Sequence, residues 1–194
     1  MEQTAIGYRV PAIGTRIGAV VLGAVLVALA AQVSIPLPGT PVPMTLQPMA
    51  VLLVGGLLGA RFGALSMILY LAMGAAGLPV FTPTVPLFGI ARLLGPTGGY
   101  LLAYPIAAYA VGALVTPGRG PGARAPWMAQ VALGVLAGLV LIHLGGLAQL
   151  AILTGNVSGA ARLATWPFLL GDLLKLVILV PVLARLTPTV RARL

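Results

Sequence analysis

Residues 17–35 read IGAVVLGAVLVALAAQVSI, an apolar run that contains no charged side chain. A membrane-spanning helix needs about 20 consecutive apolar residues, so this run predicts a retained first span. Further apolar runs predict five more spans, at residues 45–60, 62–76, 97–115, 127–154 and 167–186. The sequence therefore predicts an all-α integral membrane bundle of six transmembrane helices, with residues 1–194 forming a single membrane domain.

The composition excludes several function classes. Of the 194 residues, 60% are hydrophobic and only 7% are charged, whereas about 25% are charged in soluble proteins. The absence of cysteine excludes disulfides, thiolate metal sites and cysteine nucleophiles. The net charge of +9 comes from arginines dispersed at the ends of apolar runs, which favours membrane topology over nucleic-acid binding. We therefore expect membrane lipid as a partner and no nucleic acid, and we expect no cofactor or metal site.

The distribution of arginines predicts the orientation, because cytoplasmic loops are enriched in Lys and Arg. With the N-terminus inside, two arginines, Arg92 and Arg162, lie outside. The other eight lie inside: Arg9, Arg16, Arg61, Arg119, Arg124, Arg185, Arg191 and Arg193. Both termini are therefore predicted to be cytoplasmic, and we expect the protein to lie in the plasma membrane.

Three interruptions fall on the predicted outer face. The stretch IPLPGTPVPM at residues 35–44 contains four prolines and predicts a structured loop. Residues 77–96 are apolar but also contain four prolines, which predicts irregular backbone that lines a cavity. A short linker around Asn156 precedes the last span. Thr97 is expected to cap the fourth span through its hydroxyl group.

Charged side chains inside the apolar segments are the strongest candidates for function, because such groups are costly in a bilayer. Asp172 and Lys175, in the string GDLLK, lie three residues apart in the sixth span, so they share one helix face and pair with each other or with a ligand. Arg92 departs from the expected charge distribution, which indicates either a cation for an anionic ligand or an arginine at the lipid headgroups. His143 stands alone in the fifth span, and a packed histidine is the favoured interpretation.

Four strings occur in an order that resembles the BioY family, the biotin-specific substrate-binding (S) components of energy-coupling factor (ECF) transporters. They are PVPMTLQPMAVLLVGGLLG at residues 41–59, LYLAMGAAGLPVF at 69–81, GPTGGYLLAYPIAA at 95–108 and GDLLK at 171–175. The sequence departs from the family between residues 81 and 95, where it is proline-rich and bulkier. The resemblance implies a six-helix component that is not an enzyme and captures biotin at the extracytoplasmic side.

The resemblance also implies partners and site residues. A transmembrane coupling protein and a pair of cytoplasmic ABC-type ATPases would energise transport, since this chain has no GxxxxGK[ST] loop. Residues 36–43 would cover the pocket, and Ala24 and Ala28 on the first helix would contact the coupling protein. Asp172 would accept from the ureido ring, while Lys175 and Arg92 would face the carboxylate. Further candidates for substrate binding are Thr45, Gln47, Phe81 and Tyr100, with Asn156 as a weaker one.

Four alternatives stay open from the sequence. The chain could be an S component for another vitamin or an autonomous carrier, although more intramembrane carboxylates would be expected of a carrier. It could be an intramembrane hydrolase that uses Ser66 or Ser158 with His143 as base, although no nucleophile motif supports this. The fourth alternative is a purely structural subunit, in which Asp172 and Lys175 would contribute only to assembly.

Overall fold

The computed structural model describes residues 13–116 and 124–194. Within them the chain forms an α-helical bundle with one pair of two-residue strands. Six of its helices correspond to the predicted spans: α1 (Ile13–Gln32), α2 (Gln47–Leu58), α3 (Ala60–Ala75), α5 (Gly98–Leu114), α6 (Arg124–Thr154) and α8 (Leu169–Arg191). Two shorter helices, α4 (Gly89–Leu94) and α7 (Val157–Ala164), lie in the connections.

The apolar helices fall into two length classes. Three segments are long and apolar enough to cross a membrane, namely Ile13–Gln32, Trp127–Thr154 and Val157–Arg191. The others, α2, α3 and α5, are shorter apolar helices of 12, 16 and 17 residues. Gly59 separates α2 from α3 with a φ of 85°, a conformation that glycine adopts without steric cost. The two helices therefore form the tight hairpin that the sequence predicts.

The first span ends earlier than predicted. Helix α1 stops at Gln32, and Ser34–Ile35 forms strand β1, which pairs antiparallel with β2 (Met44–Thr45). Prolines at 36, 38, 41 and 43 prevent helix continuation, and the strand pair closes the ends of the connection. Residues 36–43 thus form a loop with fixed ends, which we call the cap loop.

The other two interruptions also contain helix. Residues 77–96 are mostly turns, as predicted, but α4 forms within them and carries Arg92. The linker before the last span, for which the sequence indicated no particular structure, holds α7. The N-terminus of α7 is capped by the Asn156 side chain, which accepts from Gly159 N at 3.0 Å. Helix α8 also continues past the predicted end at residue 186, through Pro188, to Arg191.

Small residues allow the helices to approach closely. A Cβ atom placed on Gly99 of α5 would lie 2.1 Å from the carbonyl oxygen of Gly145 in α6, and one on Gly55 of α2 would lie 2.5 Å from that of Ala108 in α5. Such contacts between backbones are how small residues hold membrane helices together. Helix α5 therefore lies at the centre of the bundle, between α2, α3 and α6.

One end of the bundle collects arginines. Arg191 donates to the carbonyl oxygens of Gly56 in α2 and Gly112 in α5, and Arg16 Nε donates to Leu194 O at 3.2 Å. The predicted cytoplasmic residues Arg9 and Arg119 lie outside the described residues. The opposite end carries the cap loop, α4 and α7.

Candidate ligand cavity

A cavity lies at the cap-loop end of the bundle, between the N-terminal ends of α2, α5 and α8 and the middle of α6. The cap loop and α4 complete its walls. It is lined by Val42, Pro43, Thr45, Gln47, Pro48, Phe81, Thr82, Arg92, Thr97, Tyr100, Leu101, Tyr104, Leu139, Ile142, His143, Phe168, Asp172 and Lys175. Of the eight residues nominated for substrate binding, seven are among them, and the weaker candidate Asn156 is not.

Asp172 is the centre of a charged cluster on one wall. Its Oδ1 atom accepts from Lys175 Nζ at 2.8 Å, and its Oδ2 atom lies 2.5 Å from His143 Nε2. Both members of the Asp172–Lys175 pair are 7% exposed, and the spacing of three predicted that they would share a helix face. Asp172 also lies in the first turn of α8, where the helix dipole favours a negative charge.

Arg92 reaches the same cavity from α4 and is 1% exposed. Its guanidinium group donates to the carbonyl oxygens of Thr82 and Val85, each at 2.5 Å, and to that of Leu87 at 3.4 Å. These carbonyls belong to the irregular segment, so the arginine organises the loop around itself. Burial lowers the pKa of Arg92, but a guanidinium group stays charged at physiological pH.

Two buried polar atoms of the lining lack a hydrogen-bond partner among the described residues: Arg92 Nε and Thr97 Oγ1. The prediction that the Thr97 hydroxyl caps the fourth span was wrong, because α5 begins at Gly98 without a side-chain cap. An unpaired buried polar atom costs about 1–3 kcal/mol. Because both residues line the cavity, these two atoms are candidate partners for a ligand.

The wall next to the cap loop holds a chain of neutral hydrogen bonds. Thr45 Oγ1 lies 3.3 Å from Gln47 Oε1, Gln47 Nε2 donates to Tyr70 Oη at 2.5 Å, and Tyr70 donates to Val80 O at 3.2 Å. The Phe81 ring packs edge-on against Tyr70, with centroids 5.4 Å apart. Thr45, Gln47 and Phe81 are therefore fixed in position before any ligand arrives.

Aromatic rings form the opposite wall. The centroid of the Tyr100 ring lies 6.2 Å from that of the His143 imidazole and 6.4 Å from that of the Phe168 ring. Its hydroxyl group donates to the carbonyl oxygen of Ala164, one of the last carbonyls of α7, which has no partner within its own helix. Tyr100 therefore offers an apolar face to the cavity while its polar end is satisfied.

The residues nominated for coupling occupy a different environment. Ala24 is completely buried within the bundle, and Ala28 is half-buried against the same core. In this arrangement Ala24 offers no surface to another protein, which does not fit a direct contact with a coupling protein. Asn156 does not line the cavity; its side chain caps the N-terminus of α7.

Sequence reasoning missed His143, which it interpreted as a packed histidine. Its partner Asp172 lies 29 positions away, so no local spacing pointed to the pair. The usable signal was its ionisable side chain inside an apolar span, the same criterion that singled out Asp172. The sequence also gave no indication that Thr97 and Tyr104 line the cavity, because their hydroxyl groups carry no charge that would single them out.

The cavity is narrow in this conformation. It has a volume of about 50 Å³, which suffices for a few water molecules. Thr40 Oγ1 of the cap loop donates to Leu163 O of α7 at 2.8 Å, so the loop is tied across the opening. A ligand larger than a few waters enters only if these walls separate.

The positions of Ser66 and Ser158 do not support the hydrolase alternative. Ser66 donates within α3 to Phe62 O at 2.9 Å, and Ser158 donates to Asn156 Oδ1 at 2.9 Å. Neither serine is a hydrogen-bond partner of His143, whose ring nitrogens face Ala164 O and Asp172.

The fold and the cavity define a class: a small integral membrane protein of packed apolar helices, with a charged ligand cavity near one end. The BioY family model matches residues 7–192. Curated relatives include "Probable biotin transporter BioY" of Pyrococcus horikoshii, 38% identical over 80% of this chain and 86% of its own. Another is "Biotin transporter BioY" of Thermotoga maritima, 35% identical over 83% of this chain and 89% of its own.

The chain belongs to the BioY family. Its fold also matches a crystal structure of the S component for biotin from an ECF-type ABC transporter, with a TM-score of 0.74, 24% identity, and coverage of 89% of this chain and 90% of that one. BioY is a family of transporter components, not of enzymes, which contradicts the hydrolase alternative.

Proposed function

We propose that this protein is the biotin-binding S component of an ECF-type uptake transporter. It captures biotin in the cavity beneath the cap loop and releases it to the other side of the membrane. The observation that carries the proposal is the meeting of Asp172, Lys175 and Arg92 in one buried cavity. Membership of the BioY family indicates biotin as the ligand, and the side chains of the cavity suit the chemical groups of biotin.

Each part of biotin has a suitable partner. The ureido ring has two N–H donors, which suit the carboxylate of Asp172. The valerate carboxylate is an anion, which suits the ammonium group of Lys175 and the guanidinium group of Arg92 with its unpaired Nε. The thioether ring is apolar, and the cavity offers it the Phe81 and Tyr100 rings. Thr45 and Gln47 supply polar contacts from the start of α2.

Transport also needs an energy source that this chain does not provide. We propose that a transmembrane coupling protein and cytoplasmic ABC-type ATPases drive the inward movement, by analogy with the ECF-type transporter that contains the structural relative. The arginine distribution supports a cytoplasmic location for both termini in the plasma membrane. The cavity end then faces outward, where biotin arrives.

Equilibrium binding of labelled biotin to the purified protein in nanodiscs tests the proposal. We expect tight binding by the wild type, and a loss of at least tenfold in affinity in Asp172→Asn and in Lys175→Ala. Arg185→Ala is the control, because this exposed arginine lies on α8 at the other end of the bundle. No binding by folded wild-type protein contradicts the biotin assignment, and unchanged binding by both variants contradicts the site.

A further inference from the structure

His143 is placed between two hydrogen-bond acceptors. Its Nδ1 atom lies 3.2 Å from the carbonyl oxygen of Ala164, and its Nε2 atom lies 2.5 Å from Oδ2 of Asp172. A bare Nε2 lone pair facing a carboxylate at this distance would be repulsive, so Nε2 donates a hydrogen bond to Oδ2. The imidazole of α6 thus holds one oxygen of the Asp172 carboxylate in place.

The other charged and titratable groups around the pair come from three helices. Lys175 of α8 holds the second oxygen of Asp172, and Arg92 of α4 lines the same cavity. Helix α5 contributes the hydroxyl groups of Tyr100 and Tyr104. Among the described residues that line the cavity, His143 is the one that reaches Asp172 with a side-chain hydrogen bond from another helix.

His143 also forms part of a partition. A lateral groove between α6 and α8 is lined by apolar residues such as Leu136, Leu169 and Leu173. His143 and Asp172 line both this groove and the cavity. The paired side chains thus separate the cavity from the groove. Removing the imidazole would free Asp172 from one side and remove part of this wall.

We propose that His143 is a positioning residue for ligand binding, which fixes the carboxylate of Asp172 through the hydrogen bond between Nε2 and Oδ2. The inference rests on the proposed function, in which biotin is the ligand. His143 holds Oδ2 from α6 while Lys175 holds Oδ1 within α8, so the carboxylate is presented to the cavity in one orientation.

The direction of the effect follows from this geometry. Without the imidazole, Oδ2 loses its partner from α6, and the carboxylate can rotate about its side-chain bonds. A ligand donor that matches one orientation of the carboxylate then binds less tightly, because binding must also order the side chain.

Biotin binding to the wild-type protein and to His143→Ala and His143→Gln, in nanodiscs at pH 7, tests the inference. Alanine removes both hydrogen bonds, and we expect the affinity to fall roughly tenfold to hundredfold. Glutamine keeps a side-chain donor that can reach Asp172, so we expect His143→Gln to recover most of the affinity that alanine loses. Leu133→Ala, a lipid-exposed change on the same helix, should retain the wild-type affinity.

Failure of the inference is distinguishable from failure of the proposed function. If wild-type protein binds biotin but His143→Ala binds equally well, or folded His143→Gln binds no better than His143→Ala, the role of His143 is overturned and the biotin assignment stands. If folded wild-type protein binds no biotin, the proposed function fails and the inference fails with it.

Discussion

Lys175 follows Asp172 by one turn of α8, and its Nζ atom lies 2.8 Å from Oδ1 of that carboxylate. Both side chains are buried, so each charge is compensated mainly by the other. A buried ion pair contributes little net stability, whereas removal of one partner leaves an uncompensated charge. The pair is therefore better explained by ligand binding than by stabilisation of the bundle.

A double substitution separates these two roles. We expect Lys175→Met alone to lower the free energy of unfolding by about 3–5 kcal/mol, because it leaves Asp172 less compensated. Adding Asp172→Asn should restore part of that stability without restoring biotin binding. Thermal unfolding and labelled-biotin binding in nanodiscs give the two readouts. Recovery of binding in the double variant would indicate that the pair serves only assembly.

Arg92 should determine preference for a charged ligand over a neutral one. We expect wild-type protein to bind biotin roughly tenfold to hundredfold more tightly than biotin methyl ester, because the ester lacks the anion that a cation would pair with. Arg92→Met should reduce this ratio. Competition of each compound against labelled biotin measures it, and Arg162→Met, an exposed arginine on α7, is the matched control. An unchanged ratio in Arg92→Met would exclude Arg92 as a partner of the carboxylate.

Much of the cavity could be predicted from the sequence. Asp172, Lys175 and Arg92 stand out because charges inside apolar segments are rare, and the resemblance to BioY added Thr45, Gln47, Phe81 and Tyr100. The six apolar runs likewise matched six helices, because a helix satisfies its own backbone hydrogen bonds in lipid.

The remainder depended on tertiary contacts. The His143–Asp172 contact joins two helices across the bundle, and one sequence carries no trace of such a pairing. Helix α7 is only eight residues long, too short for its apolar pattern to stand out beside the spans. Ala24 has the small side chain expected at a surface that contacts a partner, but the same property suits close packing within the bundle, which is where the structure places it.

A cross-link between the cap loop and α7 should slow both the binding and the release of biotin. Thr40 Oγ1 lies 2.8 Å from Leu163 O, and the chain contains no cysteine, so Thr40→Cys with Leu163→Cys can be cross-linked selectively by a short bismaleimide. We expect slower association and dissociation, because the narrow cavity must open to admit the ligand. Stopped-flow or filter-binding kinetics measure the rates, and the untreated double variant is the control. Wild-type rates after complete cross-linking would show that biotin uses another route.

Arg191 should stabilise the end of the bundle opposite the cavity without affecting ligand binding. Its Nη2 atom donates to Gly56 O at 2.7 Å and to Gly112 O at 2.9 Å, which joins the ends of α2 and α5 to α8. We expect Arg191→Ala to lower the free energy of unfolding by about 1–3 kcal/mol, since both carbonyls lose their charged donor. Biotin affinity at a temperature where the variant is folded should stay at the wild-type value. A change in affinity without a change in stability would contradict this division.

The contact between α5 and α6 should tolerate no added side chain at Gly99. A Cβ atom there would lie 2.1 Å from the carbonyl oxygen of Gly145, and because that oxygen belongs to the backbone, the helices must move apart. Helix α5 carries Tyr100 and α6 carries His143, so separation would widen the cavity wall as well. We therefore expect Gly99→Ala to lower both the unfolding temperature and the affinity for biotin. Gly18→Ala is the matched control, because a Cβ atom at Gly18 of α1 meets nothing within 4 Å. Equal stability of the two variants would show that α5 and α6 are less tightly apposed than the structure indicates.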